Sequence, residues 1–235
     1  MLKLLNKILE ILYPKTCVFC GKVQKTQVCS ACREKIRYIK EPRCKKCGKP
    51  IRYSDKELCT DCKENKHYYE QGKNIWLHKG PVRWSIYQFK YHNRRIYGCF
   101  YAEEMYRLYG QKMKEWGIER IIPVPLYKKR QKSRGYNQST IVAKHLGKLA
   151  GIPVDTKSVV RIRNTKPQKE LKGKERKQNV KDAFQLTKYH VTDENVLLID
   201  DIYTTGNTID AVAKVLTEKA GCKVFFFTIS IGQGF

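Results

Sequence analysis

Asn195-Val196-Leu197-Leu198-Ile199-Asp200-Asp201-Ile202-Tyr203-Thr204-Thr205-Gly206-Asn207-Thr208 is the stretch from which the rest of the chain is read. The apolar run Val196–Ile199 is expected to form a strand buried on both faces. Asp200 and Asp201 are expected to end it. A hydroxyl-rich turn follows, and Ile209, Val212, Ala213 and Leu216 then recur at helical spacing. A loop that enters a helix offers unpaired backbone N–H groups and the positive end of the helix dipole, and both favour a phosphate. Gly206 allows close approach of the backbone, while Thr204, Thr205 and Thr208 add hydroxyl donors. Two carboxylates beside that loop suit a vicinal diol, because each accepts hydrogen bonds from hydroxyls. Phosphate and diol on one ligand describe a ribose 5-phosphate. The competing phosphate motifs, GxGxxG and GxxxxGK[ST], are absent around this strand.

The stretch resembles the signature of the type I phosphoribosyltransferases, which bind phosphoribosyl pyrophosphate (PRPP). That resemblance implies that Asp200 and Asp201 hold the ribose hydroxyls, as the catalytic pair. It also implies that Thr204, Thr205, Gly206, Asn207 and Thr208 hold the 5-phosphate.

On either side of this stretch the pattern is strand–helix alternation. Glu119–Pro125 is expected to form a buried strand, Asn137–Ala150 a helix, Ser158–Ile162 a strand and Lys223–Ile229 another buried strand. Arg94–Tyr109 reads as a helix. Residues 67–83 read as a linker and entry strand, and Trp84–Phe89 as a strand by alternation. The fold class expected is α/β, with a mostly parallel sheet and helices on both faces. The basic run Lys128-Lys129-Arg130-Gln131-Lys132-Ser133-Arg134 follows the Pro123-Val124-Pro125 strand. It therefore lies at the carboxyl end of the sheet, where open α/β folds bind ligands.

Eight of the ten cysteines lie between residues 17 and 62 as CxxC pairs: Cys17/Cys20, Cys29/Cys32, Cys44/Cys47 and Cys59/Cys62. A CxxC turn lets two thiolates converge on one ion, and four thiolates complete a tetrahedral zinc site. With no export signal in view, a reducing compartment favours metal over disulfide. An internal repeat is visible, since Cys17-Val18-Phe19-Cys20-Gly21-Lys22 matches Cys44-Lys45-Lys46-Cys47-Gly48-Lys49. A second CxxC follows after eight and eleven residues, respectively. Sequential pairing is expected, giving two structural zinc ions on Cys17/Cys20/Cys29/Cys32 and Cys44/Cys47/Cys59/Cys62; cross-braced pairing is the alternative. The few apolar residues between the cysteines leave the metal to supply the folding energy. Cys99 and Cys222 have no partner at ligand spacing and are expected in the core.

The formal net charge of the 235-residue chain is +26, which points to a polyanionic partner, nucleic acid first and anionic lipid second. Between Lys157 and Lys181 ten Lys or Arg face two Glu. No apolar run reaches the roughly 20 residues a spanning helix needs. Leu2, Leu5, Leu9 and Leu12 mark one face of an amphipathic helix over residues 1–14. Docking on its own protein is the first reading of that helix, and an interfacial membrane contact the second. The expected location is the cytoplasm, with the inner face of the membrane as the alternative.

Three further stretches narrow the resemblance. They are Ile122–Leu126 followed by Arg130 and Arg134-Gly135-Tyr136-Asn137-Gln138; then Arg163, Thr165, Gln168, Leu171, Arg176, Asn179 and Phe184; then the Asp-Asp-Ile-Tyr-Thr-Thr-Gly block. With Leu12-Tyr13-Pro14 before the cysteine array, the ordered set resembles the ComF family of competence proteins, of the ComFC type, over essentially the whole chain. That resemblance implies a double zinc-binding module at 15–66 and a phosphoribosyltransferase-like domain at 67–235. It implies PRPP with Mg²⁺ as ligand, and Arg130 and Arg134 where related domains bind pyrophosphate. It places Thr165–Lys181 where a hood closes over the site. Further implications are single-stranded DNA, held by Lys128, Lys129, Arg130, Arg134 and Arg176, and a DNA-uptake helicase or channel and recombination proteins as partners. Two function classes follow: a DNA- and PRPP-binding protein of natural transformation, or an enzyme that transfers the phosphoribosyl group to an acceptor.

Overall fold

The structure is a computed structural model and describes residues 14–52, 56–165, 180, 182–189 and 191–232. The expected helix at 1–14 and most of the hood segment, including Arg176, lie outside the described residues. Four parallel strands form the central sheet in the order β1-β6-β5-β2. They are β1 (Gly72–Leu77), β2 (Arg120–Pro123), β5 (Asn195–Tyr203) and β6 (Lys223–Ile231). The apolar runs of β5 and β6 are fully buried because both faces of the sheet are covered. One face carries α3 (Gly80–Tyr91), α4 (Tyr97–Glu115) and α6 (Gln138–Ala150), packed on Ile121, Leu197, Ile199, Phe225 and Phe227. The other carries α7 (Asn207–Ala220), whose Ile209, Val212, Ala213 and Leu216 meet Val196, Leu198, Val224 and Phe226.

The cysteine-rich segment holds two short helices, α1 (Ser30–Lys35) and α2 (Thr60–Glu64), each opening at the second CxxC of its half. It is joined closely to the sheet. Phe19 packs edge-on against Trp76 and Phe100. The Ile39 and Leu77 amide N–H groups donate to the Ile75 and Arg37 carbonyls, so the chain at 37–39 covers the otherwise free edge of β1. In the second half Asn74 Nδ2 donates to the Cys47 carbonyl at 2.8 Å, and Gly72 N–H to the Lys46 carbonyl. Gly48 has φ +71°, and a Cβ there would meet the Gly72 carbonyl oxygen at 2.7 Å. The close approach of this knuckle to β1 therefore requires glycine.

Three expectations are corrected. Trp84–Phe89 is helical, within α3. Pro81 opens that helix, and Val82, Ser85, Ile86 and Phe89 make its buried face. Large aromatics also line the outer face, which hides the helical period and imitates alternation. Second, β5 does not end at the aspartates but runs to Tyr203. Pairing with β2 stops at Pro123↔Ile199, whereas pairing with β6 continues to Tyr203↔Ile231. The aspartates thus lie where one neighbouring strand has ended, which opens them to the carboxyl rim. The strand expected at 158–162 is present as β3 (Val159–Arg161), outside the main sheet and paired antiparallel with β4 (Phe184–Leu186). Third, of the two lone cysteines Cys222 is buried as expected, but Cys99 is only partly buried and its Sγ lies 3.1 Å from His145 Nε2.

Candidate ligand site and two metal centres

The metal centres follow from the repeat. In each half the first Cys amide donates to the Lys carbonyl five residues on, Cys17 to Lys22 and Cys44 to Lys49. The glycine after the knuckle, Gly21 or Gly48, is left-handed and donates back to the first Cys. Its handedness turns the second cysteine inward. Cys29 N–H also points at Cys17 Sγ, at 3.4 Å. The sulfurs of Cys17, Cys20, Cys29 and Cys32 lie within 4.8 Å of one another, as do those of Cys44, Cys47, Cys59 and Cys62. Pairing is therefore sequential, and all eight thiols are free of disulfides. The Cys20–Cys29 and Cys47–Cys59 separations are 3.8 and 3.6 Å. A tetrahedron with Zn–S bonds of about 2.3 Å has edges of about 3.8 Å. Both sets thus fit structural zinc, with no position left open for substrate.

The second candidate site lies at the carboxyl end of β5. Gly206, left-handed at φ 77°, is the N-cap of α7. A Cβ there would meet Tyr203 Oη at 2.5 Å, so the tight passage of this loop requires glycine. Asp200, Tyr203, Thr204, Thr205, Gly206, Asn207 and Thr208 line a shallow, solvent-open hollow. Thr205 Oγ1 is buried and has no hydrogen-bond partner among the described residues. Such a hydroxyl is costly unless a ligand or water satisfies it, and a phosphate oxygen at the start of α7 would do so.

The two aspartates have different surroundings. Asp201 pairs with Lys90 of α3 at 2.7 Å. Asp200 Oδ1 accepts from Ser139 Oγ at 3.2 Å and from the Asp201 amide at 2.8 Å. Burial, with the Asp201 charge adding, pushes Asp200 up to about 7 against the pull of that amide, Lys90 and Ser139. Ser139 is placed by the Arg134–Gln138 segment. Asn137 caps α6 by accepting from Ser139 N–H at 3.1 Å, and it donates to the Val124 carbonyl at 2.9 Å. Tyr136 Oη donates to the Phe89 carbonyl. The segment is thus the joint between β2, α3 and α6 beside Asp200.

The basic residues divide. Lys128 and Lys129 are exposed on α5 (Lys128–Arg134). Arg130 donates to the Thr165 carbonyl at 2.9 Å. Arg134 donates to Gln138 Oε1 at 2.5 Å and lies over the Tyr91 ring, so its main contacts are with α6 and α3. Two partners escaped the reading of the sequence. Lys90 is one lysine among many and no motif in the sequence marks it. Arg161 was hidden in a short strand, and no motif marks it. It is half-buried, one of its terminal nitrogens donates to Thr165 Oγ1, its guanidinium lies over the Phe184 ring, and Arg130 and Asp200 both act on its charge. Burial, then the Arg130 charge, pulls its guanidinium below the ordinary value. Its Nε has no partner among the described residues. Two neighbouring guanidiniums with an unfilled donor make a place for a polyanion.

Residues 8–63 match the double zinc ribbon domain family. Competence protein F of Haemophilus influenzae is 41% identical over 102 residues, which is 43% of this chain and 44% of that protein. The DNA utilization protein YhgH of Escherichia coli K12 is 34% identical over 106 residues, 45% of this chain and 46% of that protein. Competence protein ComFC of Bacillus subtilis is 32% identical over 111 residues, 46% and 43% of the two chains. The matched stretch spans less than half the length of each of these three relatives. Among solved structures, an adenine phosphoribosyltransferase is similar at 12% identity and a TM-score of 0.37, over 57% of this chain and 71% of that one.

Proposed function

The chain belongs to the ComF family, and from that premise we propose that it acts in natural transformation, binding PRPP and single-stranded DNA as imported DNA is passed to recombination. The observation that carries the ligand half is the acid pair set beside a left-handed glycine loop with an unsatisfied buried hydroxyl. In this reading Asp200 and Asp201 take the ribose hydroxyls. Thr204, Thr205, Gly206, Asn207 and Thr208 take the 5-phosphate, and Arg130 and Arg161 the pyrophosphate. Mg²⁺ bound with PRPP would neutralise pyrophosphate charge. A DNA-uptake helicase or channel and recombination proteins are the partners this role calls for. The cytoplasm or the inner face of the membrane is its location, and no described helix is long and apolar enough to cross a membrane.

The DNA half rests on the charge of +26 and on the exposed Lys128 and Lys129. Its test is a titration of fluorescent oligonucleotide at two salt levels. Affinity is expected to fall with salt, with a slope of about −0.7 in log K per neutralised phosphate. Lys128→Glu with Lys129→Glu should flatten that slope and weaken all sequences alike. Binding indifferent to salt, or absent at low salt, would remove nucleic acid as the partner.

A second reading, phosphoribosyl transfer, is favoured by the position of Asp200 near 7, which suits a group that accepts a proton at neutral pH. The C1–O bond of PRPP would break as an acceptor atom bonds to C1, pyrophosphate would leave towards Arg130 and Arg161, and the proton lost by the acceptor atom would pass to Asp200. Release of pyrophosphate from labelled PRPP only when single-stranded DNA is present would make DNA the acceptor. Binding of both without release would leave the protein a binder.

A further inference from the structure

The outer face of α3 belongs to neither the zinc centres nor the ligand hollow. Trp84, Tyr87 and Tyr91 stand there one helical turn apart, 37%, 51% and 53% exposed. Three large rings on one solvent-facing helix face are unusual for a surface that has no partner. The Tyr87 and Tyr91 centroids are 5.1 Å apart, and His92 extends the row at 5.2 Å from Tyr87. At one end Trp84 lies against the first zinc knuckle, where a Cβ on Gly21 would meet its ring at 3.1 Å. At the other the Arg134 guanidinium sits 5.0 Å from the Tyr91 centroid, and Lys90, one residue away, pairs with Asp201. The row therefore leads from a zinc centre to the rim of the ligand site.

Charge decides what such a row would hold. Between Glu70 and Glu103 the chain has no carboxylate and six Lys or Arg. Of these, Lys79, Arg83, Arg94 and Arg95 are exposed around α3. Six cations with no carboxylate over residues 71–102 favour a polyanionic occupant. Aromatic rings among unopposed cations suit bases that stack and phosphates that pair.

We propose that the Trp84–Tyr87–Tyr91 face of α3 is a stacking track for single-stranded nucleic acid, running from the first zinc knuckle to the edge of the ligand hollow. The proposal rests on the nucleic-acid reading above and gives it a location distinct from Lys128 and Lys129. Rings stack only on bases that are unpaired, so the track favours single strands and tolerates any sequence.

The test uses the full-length zinc-loaded protein and a fluorescent oligothymidine, read by anisotropy. Tyr87→Ala with Tyr91→Ala should weaken binding roughly 5-fold or more per ring and leave the salt slope unchanged. Tyr87→Phe with Tyr91→Phe should bind like the parent, since stacking needs the ring and not the hydroxyl. Trp84 fluorescence should be quenched by the oligonucleotide and stay quenched in the Lys128→Glu/Lys129→Glu variant. Parent-like affinity in the alanine variant would overturn the track while sparing the DNA reading. A self-association lost in that variant, with oligonucleotide affinity unmoved, would overturn it in favour of a contact between copies. No binding by the parent protein would overturn both.

Discussion

Replacing Asp200 and Asp201 together by asparagine is expected to weaken PRPP binding about 100-fold or more and to leave the fold intact. The magnitude follows from charge. Hydrogen bonds to ionised groups contribute about 1.5–3 kcal/mol each, and both carboxylates lose that assistance. The fold survives because both side chains lie beyond the end of β2, at the rim and not in the core. Asp200→Asn alone should separate binding from stability. Asp200 sits near 7 in the fold against an ordinary 3.8, so the folded chain holds the proton more tightly than the unfolded one. Its contribution to stability is therefore complete below about pH 4 and is lost as pH rises through about 7. At 1.36 kcal/mol per unit the loss is about 2–4 kcal/mol after allowance for partial exposure. The asparagine variant should lack that slope and, without ligand, melt higher than the parent at pH 8. PRPP affinity of the parent should rise over the same range, since only the ionised carboxylate accepts from both hydroxyls. Thermal melts at pH 5 and pH 8, with and without PRPP, check both signs; a parallel pH profile in parent and variant would contradict them.

Removal of zinc is the second large effect. Reduced, folded protein should contain about two zinc ions per chain, and a preparation without zinc would end this account of the cysteines. Chelation should unfold residues 17–62, because structural zinc supplies on the order of 10 kcal/mol in small ribbons. The α/β body should persist but melt lower, since Phe19 no longer covers Trp76 and the edge of β1 is bared. The two centres should differ in reach. Cys62 Sγ lies 3.9 Å from Tyr69 Oη, Tyr69 Oη lies 2.8 Å from Tyr203 Oη, and Tyr203 packs against Gly206. Tyr68 N–H also donates to Asp210 at the start of α7, at 2.7 Å. Cys44→Ser should therefore weaken PRPP binding more than Cys17→Ser, at equal loss of one zinc. Equal effects would mean that no such link operates.

How much of this was legible in the sequence depends on the range of each interaction. The β5 and β6 strands were readable because a sheet covered on both faces demands unbroken apolar runs. The cysteine grouping was readable because sequential pairing keeps each ligand set local in the chain. The helix α3 was not, because its outer aromatics equal its inner ones in hydrophobicity and erase the period of 3.6. The end of β5 was not, because strand length there is set by the continuing partner β6. The Lys90–Asp201 pair and the Arg161–Arg130 neighbourhood join residues far apart in sequence, and no local spacing announces them. The loop's glycine was recognised, whereas the buried Thr205 hydroxyl without a partner among the described residues appears only once its surroundings are fixed.

The hollow at the end of β5 is proposed to hold a phosphoribosyl group. Isothermal titration calorimetry of the zinc-loaded protein with PRPP and Mg²⁺ tests it most directly. One site per chain is predicted, displaced by ribose 5-phosphate and lost in the Asp200→Asn/Asp201→Asn variant. No binding of PRPP, or binding unchanged in that variant, would contradict it.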